Sequence, residues 1–371
     1  MKKMNNLPKS LYIHIPFCSS MCDYCDFTKL QYFSFLADSY ITSLIKEIKS
    51  YDIPKDLKTI YIGGGTPSVL SLEQLERILS TVDEYSKKVE EFTIEVNPES
   101  IDIDKLKLFK KHRVNRISMG VESTNDQILN SINRKHTFDD VKKAVFLIRN
   151  EGFTNLSLDL ILGLPNVTDS LLENDIKNII SLNPDNVSCY SLTVHENTKF
   201  YIKGIKAPED DTLRNMYDLV HYHLSKNGYE HYEISSWGKN KKYGKHNFTY
   251  WRNERYFGVG LGASGYVNNI RYKNTRNLNK YNKMENIIDE KEVVAKKDEI
   301  IYEIMLRLRT FEGIDLAQFE QKFGFNLYQN KEKIIQKLIK NGLLLLDEEK
   351  KILVATYEGM MVLDQIILDI I

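Results

Sequence analysis

The chain has 371 residues, of which 42% are hydrophobic and 27% charged, the composition of a globular protein rather than a disordered or fibrous one. Lys plus Arg and Asp plus Glu both total 51, so no global field draws in nucleic acid or an anionic membrane. No run approaches the ~20 apolar residues of a membrane span, because "MMVLDQIILDII" is interrupted by Asp364 and Asp369. The opening "MKKMNNLPKS" is followed by an apolar stretch soon broken by His14 and Pro16, which does not read as a secretory signal. The expectation is a cytoplasmic protein without membrane insertion.

In chain order, residues 11 to about 194 alternate short β-rich runs with amphipathic helical patterns. The runs are "LYIHIPF", "TIYIGGG", "EFTIEVNP", "RISMGVE", "NLSLDLILGLP" and "NVSCYSLTV". Between them, segments such as "SLEQLERILSTVDEY" and "VKKAVFLIRNEG" repeat apolar residues every three or four positions. Strand then helix, six times over, predicts a parallel sheet with right-handed crossovers. Six units are fewer than the eight of a closed barrel, so the predicted fold is a partial (β/α)6 barrel, with chemistry at the C-terminal ends of its strands. Residues 196–297 read as an α+β extension that is rich in Gly, Asn and Tyr, and 298–371 as a small helical, winged-helix-like module.

Three of the four cysteines, Cys18, Cys22 and Cys25, fall within eight positions on the loop leaving the first strand. The fourth, Cys189, lies in a strand pattern and reads as a buried core residue. A structural zinc site usually takes four ligands and could be completed here by His14 or a distant residue. A [4Fe–4S] cube ordinarily takes four thiolates; three leave one iron open to a chelating ligand.

C-x3-C-x2-C at the start of a βα array resembles the radical S-adenosylmethionine (SAM) superfamily, in which SAM chelates the open iron. The segments "YIHIPFC", "GGGTPS", "EVNPES", "NRISMGVES", "LDLILGLP", "YEIS" and "HNFTYWRN", followed by the terminal module, extend that likeness over nearly the whole chain. Together they resemble the oxygen-independent coproporphyrinogen III oxidase family, and particularly its HemW haem-chaperone branch. The resemblance implies a [4Fe–4S] cluster on Cys18, Cys22 and Cys25. It also implies a SAM site drawn from Tyr12, Tyr24, Gly64, Gly65, Thr66, Glu95, Glu122, Arg134 and Asp159. Within that set it gives Glu95 the ribose hydroxyls and Arg134 a SAM carboxylate. For this branch it implies haem as cargo, with His246 as the candidate haem contact, and a haem-requiring apoprotein, often a respiratory membrane protein, as partner.

Several positions depart from the family pattern. Phe27 stands where the oxidases resemble a fourth cysteine, and the first strand begins by residue 11, earlier than in those enzymes; both differences point to the chaperone branch. Glu122 replaces a family glutamine, adding a negative charge near a carboxylate-binding position. Ser264 and Gly265 stand where the branch resembles G-A-H-S-Y. The leading expectation is a haem chaperone carrying a cluster and SAM. The alternative is the oxidase, which decarboxylates two propionates of coproporphyrinogen III to give protoporphyrinogen IX. A radical SAM enzyme acting on RNA is disfavoured by the neutral charge. Reductive SAM cleavage is left open, and oxidase turnover is not favoured.

Overall fold

The computed structural model describes residues 7–371. Strand β1 (Ser10–Ile15) is followed by two short strands, β2 (Phe17–Cys18) and β3 (Leu30–Gln31), which pair in parallel and close the base of the cysteine loop. Then come β4 (Thr59–Gly64), β5 (Glu91–Val96), β6 (Arg116–Glu122), β7 (Leu156–Leu162) and β8 (Asn186–Ser191). Strands β1, β4, β5, β6, β7 and β8 lie side by side in that order and all run parallel. They correspond to the six runs read from the sequence, and the partial (β/α)6 barrel is the observed architecture.

The extension is stitched into this sheet at both edges. β10 (Ser236–Gly238) adds antiparallel to β8 and β9 (Glu230–Glu233) antiparallel to β10, while β11 (Phe257–Val259) runs parallel along the outside of β1. Leu11, Ile13, Ile60, Ile62, Phe92, Ile94, Ile117 and Leu158 point into the main core and are almost wholly buried. The near-continuous apolar character of these strands follows from a sheet covered by helices.

Helix α1 (Ser34–Ser50) packs Ala37, Tyr40, Ile41, Leu44 and Ile48 inward and buries Glu47 with them. That carboxylate accepts from the Gly260 N–H at 2.8 Å, the Asn274 side chain at 2.7 Å and the Tyr281 hydroxyl, which ties the extension to the barrel. Burial holds its pKa up at about 6. Helix α2 (Leu72–Val82) begins with the reciprocal bonds between Ser71 and Gln74 that an S-x-x-Q sequence supplies.

Beyond residue 298 a second core, built on Ile304, Leu308, Phe319, Ile335, Leu353 and Ile366, is enclosed by helices and a hairpin of Leu344–Asp347 with Ile352–Ala355. This is the winged-helix-like module. Among the described residues no helix is long and apolar enough to cross a membrane.

Candidate functional site

At the C-terminal ends of the parallel strands lies a cavity of about 380 Å3 lined by all three clustered cysteines. The cysteine loop is held from several sides. Its base is fixed by bonds from Leu30 N–H to the Pro16 carbonyl and from Tyr32 N–H to the Cys18 carbonyl. Its tip is held by Asn133, which donates to the Met21 carbonyl at 2.7 Å, and by ion pairs of Asp23 with Lys199 (3.4 Å) and Lys203 (2.5 Å). Residues far apart in sequence thus position a short loop.

Burial pushes the Cys18 thiol up to about 11, against a hydrogen bond with Thr66 that lowers it, and burial also raises Cys22. Buried thiols of this kind stay protonated until a cation is bound, and metal binding then releases their protons. Among the described residues no three His, Cys, Asp or Glu side chains are arranged around a single-ion site; the thiols border a space instead. The close approach of the glycine turn adds to that picture. A Cβ on Gly65 would sit 2.9 Å from Cys18 Sγ and 2.8 Å from the Phe17 carbonyl oxygen, and Gly64 has φ +119°, so both positions favour glycine. The donor set and its cradle therefore suit a thiolate-held cluster.

The turn's backbone donors are already engaged. Gly64 N–H donates to Glu95 Oε2 at 2.9 Å, Gly65 N–H to the Ile15 carbonyl, and Thr66 N–H to the Phe17 carbonyl. Carbonyl oxygens and the Thr66 hydroxyl are what this turn can offer to the cavity. The other oxygen of Glu95 accepts from the Tyr61 hydroxyl at 2.6 Å. An ionised carboxylate has about four acceptor sites, so capacity for further donors such as ribose hydroxyls remains.

Arg134, expected to bind a SAM carboxylate, and Glu122, expected to add a negative charge near a carboxylate-binding position, are ion-paired with one another, their side chains 8% and 10% exposed. Arg134 also donates to Asn97 Oδ1 at 3.1 Å, while its buried Nε has no partner among the described residues. Glu122 sits at φ +67°, where the register between β6 and β7 shifts after Gly120. A bulge of this kind re-aims a side chain at the end of a strand.

Asp159 accepts from Ser118 at 3.2 Å and Ser157 at 3.4 Å. Burial and then the neighbouring charge of Glu122 push its pKa up to about 7, against the pull of Arg116. Burial also raises Glu95. Acids held up in this way in a cleft are a common mark of a functional site.

The cavity brings together Cys18, Cys22, Cys25, Tyr24, Gly64, Gly65, Thr66, Glu95, Glu122, Arg134 and Asp159. Two expected residues lie elsewhere. Tyr12 lines a second cavity, its hydroxyl bonded to His14 Nδ1 at 2.9 Å. His246, the candidate haem contact, is 1% exposed; its Nδ1 is bonded to Thr59 Oγ1 and its Nε2 to Tyr250 Oη, both at 2.8 Å. Burial lowers its pKa to about 3. Haem ligation would have to break one of these buried bonds, so the reading of His246 as a haem contact is corrected: here it is a core residue.

Tyr61, Asn97 and Ser118 also line the cavity and were not anticipated. A period-2 reading would have found two of them. Tyr61 shares a strand face with Gly63 in β4, and Ser118 sits in register between Glu95 of β5 and Ser157 of β7.

A parallel sheet whose C-terminal end gathers three free thiols, a glycine turn and perturbed acids is the arrangement of a radical SAM protein. The family model for the radical SAM superfamily matches residues 12–179, and that for the HemN C-terminal domain matches residues 294–362. The chain is 41% identical over 352 residues to the heme chaperone HemW of Lactococcus lactis, covering 92% of each chain. It is 38% identical over 354 residues to the heme chaperone HemW of Bacillus subtilis, covering 91% of this chain and 92% of that one. The protein belongs to the HemW family. Among solved structures, the coproporphyrinogen III oxidase HemN of Escherichia coli superposes with a TM-score of 0.83 over 98% of this chain and 90% of that one. At 22% identity that likeness shows the shared fold alone.

Proposed function

We propose that this protein is a haem chaperone: it binds haem and hands it to haem-requiring apoproteins in the cytoplasm, with a [4Fe–4S] cluster and SAM held in the thiol cavity. The observation that carries this reading is the 41% identity, over 92% of both chains, with a protein named a heme chaperone. Cys18, Cys22 and Cys25 would hold three irons as thiolates and leave the fourth to SAM. Glu95 would accept from the ribose, and Arg134 would offer its unpartnered Nε to the SAM carboxylate while Glu122 fixes its guanidinium. Tyr24, Asp159, Gly64, Gly65 and Thr66 would enclose the remainder; Tyr12 would act one layer back, through His14. When bound, the cluster supplies a one-electron donor beside SAM.

In this reading residues 1–195 carry the cofactors, 196–297 complete the sheet and its flanks, and 298–371 are available to meet the acceptor, such as a respiratory membrane protein. The test uses anaerobically reconstituted protein. Haem binding and transfer to an apo-cytochrome, with no protoporphyrinogen formed from coproporphyrinogen III in the presence of SAM and reductant, is the expected result. Stoichiometric decarboxylation without haem transfer would replace this reading with the oxidase.

A further inference from the structure

The loop after Cys25 is shared by two cavities. Phe27 lines both, Lys29 the first and Thr28 the second. The second cavity, about 260 Å3, differs from the first in charge. The thiol cavity holds Glu95, Glu122, Asp159 and Asp26 together with Arg134 and Lys29, whereas among the described residues the second is lined by Lys273 and Arg276 and by no carboxylate. His14, which also lines it, has both ring nitrogens engaged, by the Tyr12 hydroxyl and the Thr28 carbonyl. Burial lowers its pKa to about 4, with the charge of Arg276 adding to the effect. His14 is therefore neutral at pH 7, and the two cations set the sign of the cavity. Among the described residues Lys273 has one acidic neighbour, Glu290 at 3.6 Å, whose side chain is 71% exposed, a weak competitor.

Aromatic rings, Tyr250, Tyr256 and Phe27, the last 65% exposed at the rim, share the remaining lining with Tyr12, Thr28 and the small residues Gly262, Ala263 and Ser264. The Tyr250 hydroxyl is bonded to His246, which orients the ring. Paired cations beside aromatic faces suit a ligand with a flat apolar body and carboxylates along one edge. The volume is below the roughly 300–1,000 Å3 of a pocket that engulfs a drug-sized ligand, so this cavity takes an edge and leaves the body over the rim.

Building on the haem-chaperone reading, we propose that the second cavity receives the propionate edge of haem. Lys273 and Arg276 hold the carboxylates, and Phe27, Tyr250 and Tyr256 cover the adjoining part of the ring. Cargo and cluster would then sit on opposite sides of Phe27.

The full-length reconstituted protein is titrated with haem and with haem dimethyl ester, which lacks the carboxylates, following the Soret band. The wild type is expected to prefer haem by roughly tenfold or more. Lys273→Ala/Arg276→Ala should bind haem as weakly as the ester, with ester affinity unchanged. Lys273→Arg/Arg276→Lys should keep the preference. Arg276→Ala alone, at an exposed position, should lose part of it and keeps the test decisive if the double variant does not fold. A double alanine variant that discriminates haem from ester as well as the wild type does would overturn the site while leaving the chaperone reading intact. A wild type that binds no haem would remove both.

Discussion

The two ends of the parallel strands carry polar side chains of similar kinds and use them differently. At the N-terminal end, Thr59 bonds to Ser10 at 2.9 Å and to His246, Ser10 to Thr249 at 2.8 Å, and His246 to Tyr250. Glu91 accepts the backbone N–H groups of Lys245 and His246. Since Thr59 donates to Ser10, it accepts from Nδ1–H of His246, whose Nε2 then accepts from Tyr250; each proton in the chain has a place. At the C-terminal end, Asp159 and Glu95 are held up in pKa, Arg134 Nε has no partner among the described residues, and the thiols line a cavity. The chain through Thr59 and His246 is a satisfied buried network of the kind that rigidifies a fold, although Arg116, at the start of β6, also keeps a buried Nε without a partner among the described residues; what sets the other end apart is that its acids and thiols border a cavity. Burial of a histidine is thus no guide to function until the partners of both ring nitrogens are known.

The sharpest way to break this contrast is at the thiols. Serine at Cys18, Cys22 or Cys25 should abolish iron and sulfide uptake on reconstitution with far-UV circular dichroism unchanged, whereas Cys189→Ser, in the core, should retain the full complement. Next, Arg134→Ala leaves Glu122 buried without its partner and should cost about 3–5 kcal/mol in chemical denaturation, with much of the loss recovered when Glu122→Gln is added.

Third comes pH. Asp159 has a folded pKa of about 7, above the ~3.9 of an unfolded chain. The folded state binds the extra proton between those values, so stability falls as pH rises from about 4 to about 7. Asp159→Asn should flatten that decline by an amount on the order of a few kcal/mol, read from urea midpoints across the window. The smallest effect is expected at the closed end: His246→Ala should lose about 1–3 kcal/mol of stability through the partners left unsatisfied, while the Soret position of bound haem, which reports its iron ligands, stays at the wild-type value.

The six long parallel strands were legible because each is a six- or seven-residue apolar run ending in a turn signal. β10 and β11 were not, since three residues cannot show a period and their pairing with β8 and β1 is a tertiary fact. Within the site, the cysteines were legible from spacing alone. The pairing of Glu122 with Arg134 was not, because it depends on a bulge and a left-handed backbone that no local pattern announces. His246 misled for a related reason: its motif marks a sequence relationship, and only packing reveals that the ring is enclosed.

The place of β11 bears on how the molecule is made. It pairs with β1, Leu11 beside Phe257 and Ile13 beside Val259, so the outer neighbour of the first strand is supplied some 250 residues later in synthesis. Until then the hydrogen-bonding edge of β1 and the faces of Tyr40 and Glu47 that meet Gly260 and Leu261 stay open on the nascent chain. Non-local parallel pairing of this kind is slow and aggregation-prone. The wall behind the cysteine loop is therefore among the last parts of the barrel to close. Until residues 257–261 have emerged, the three thiols sit on an unfinished scaffold.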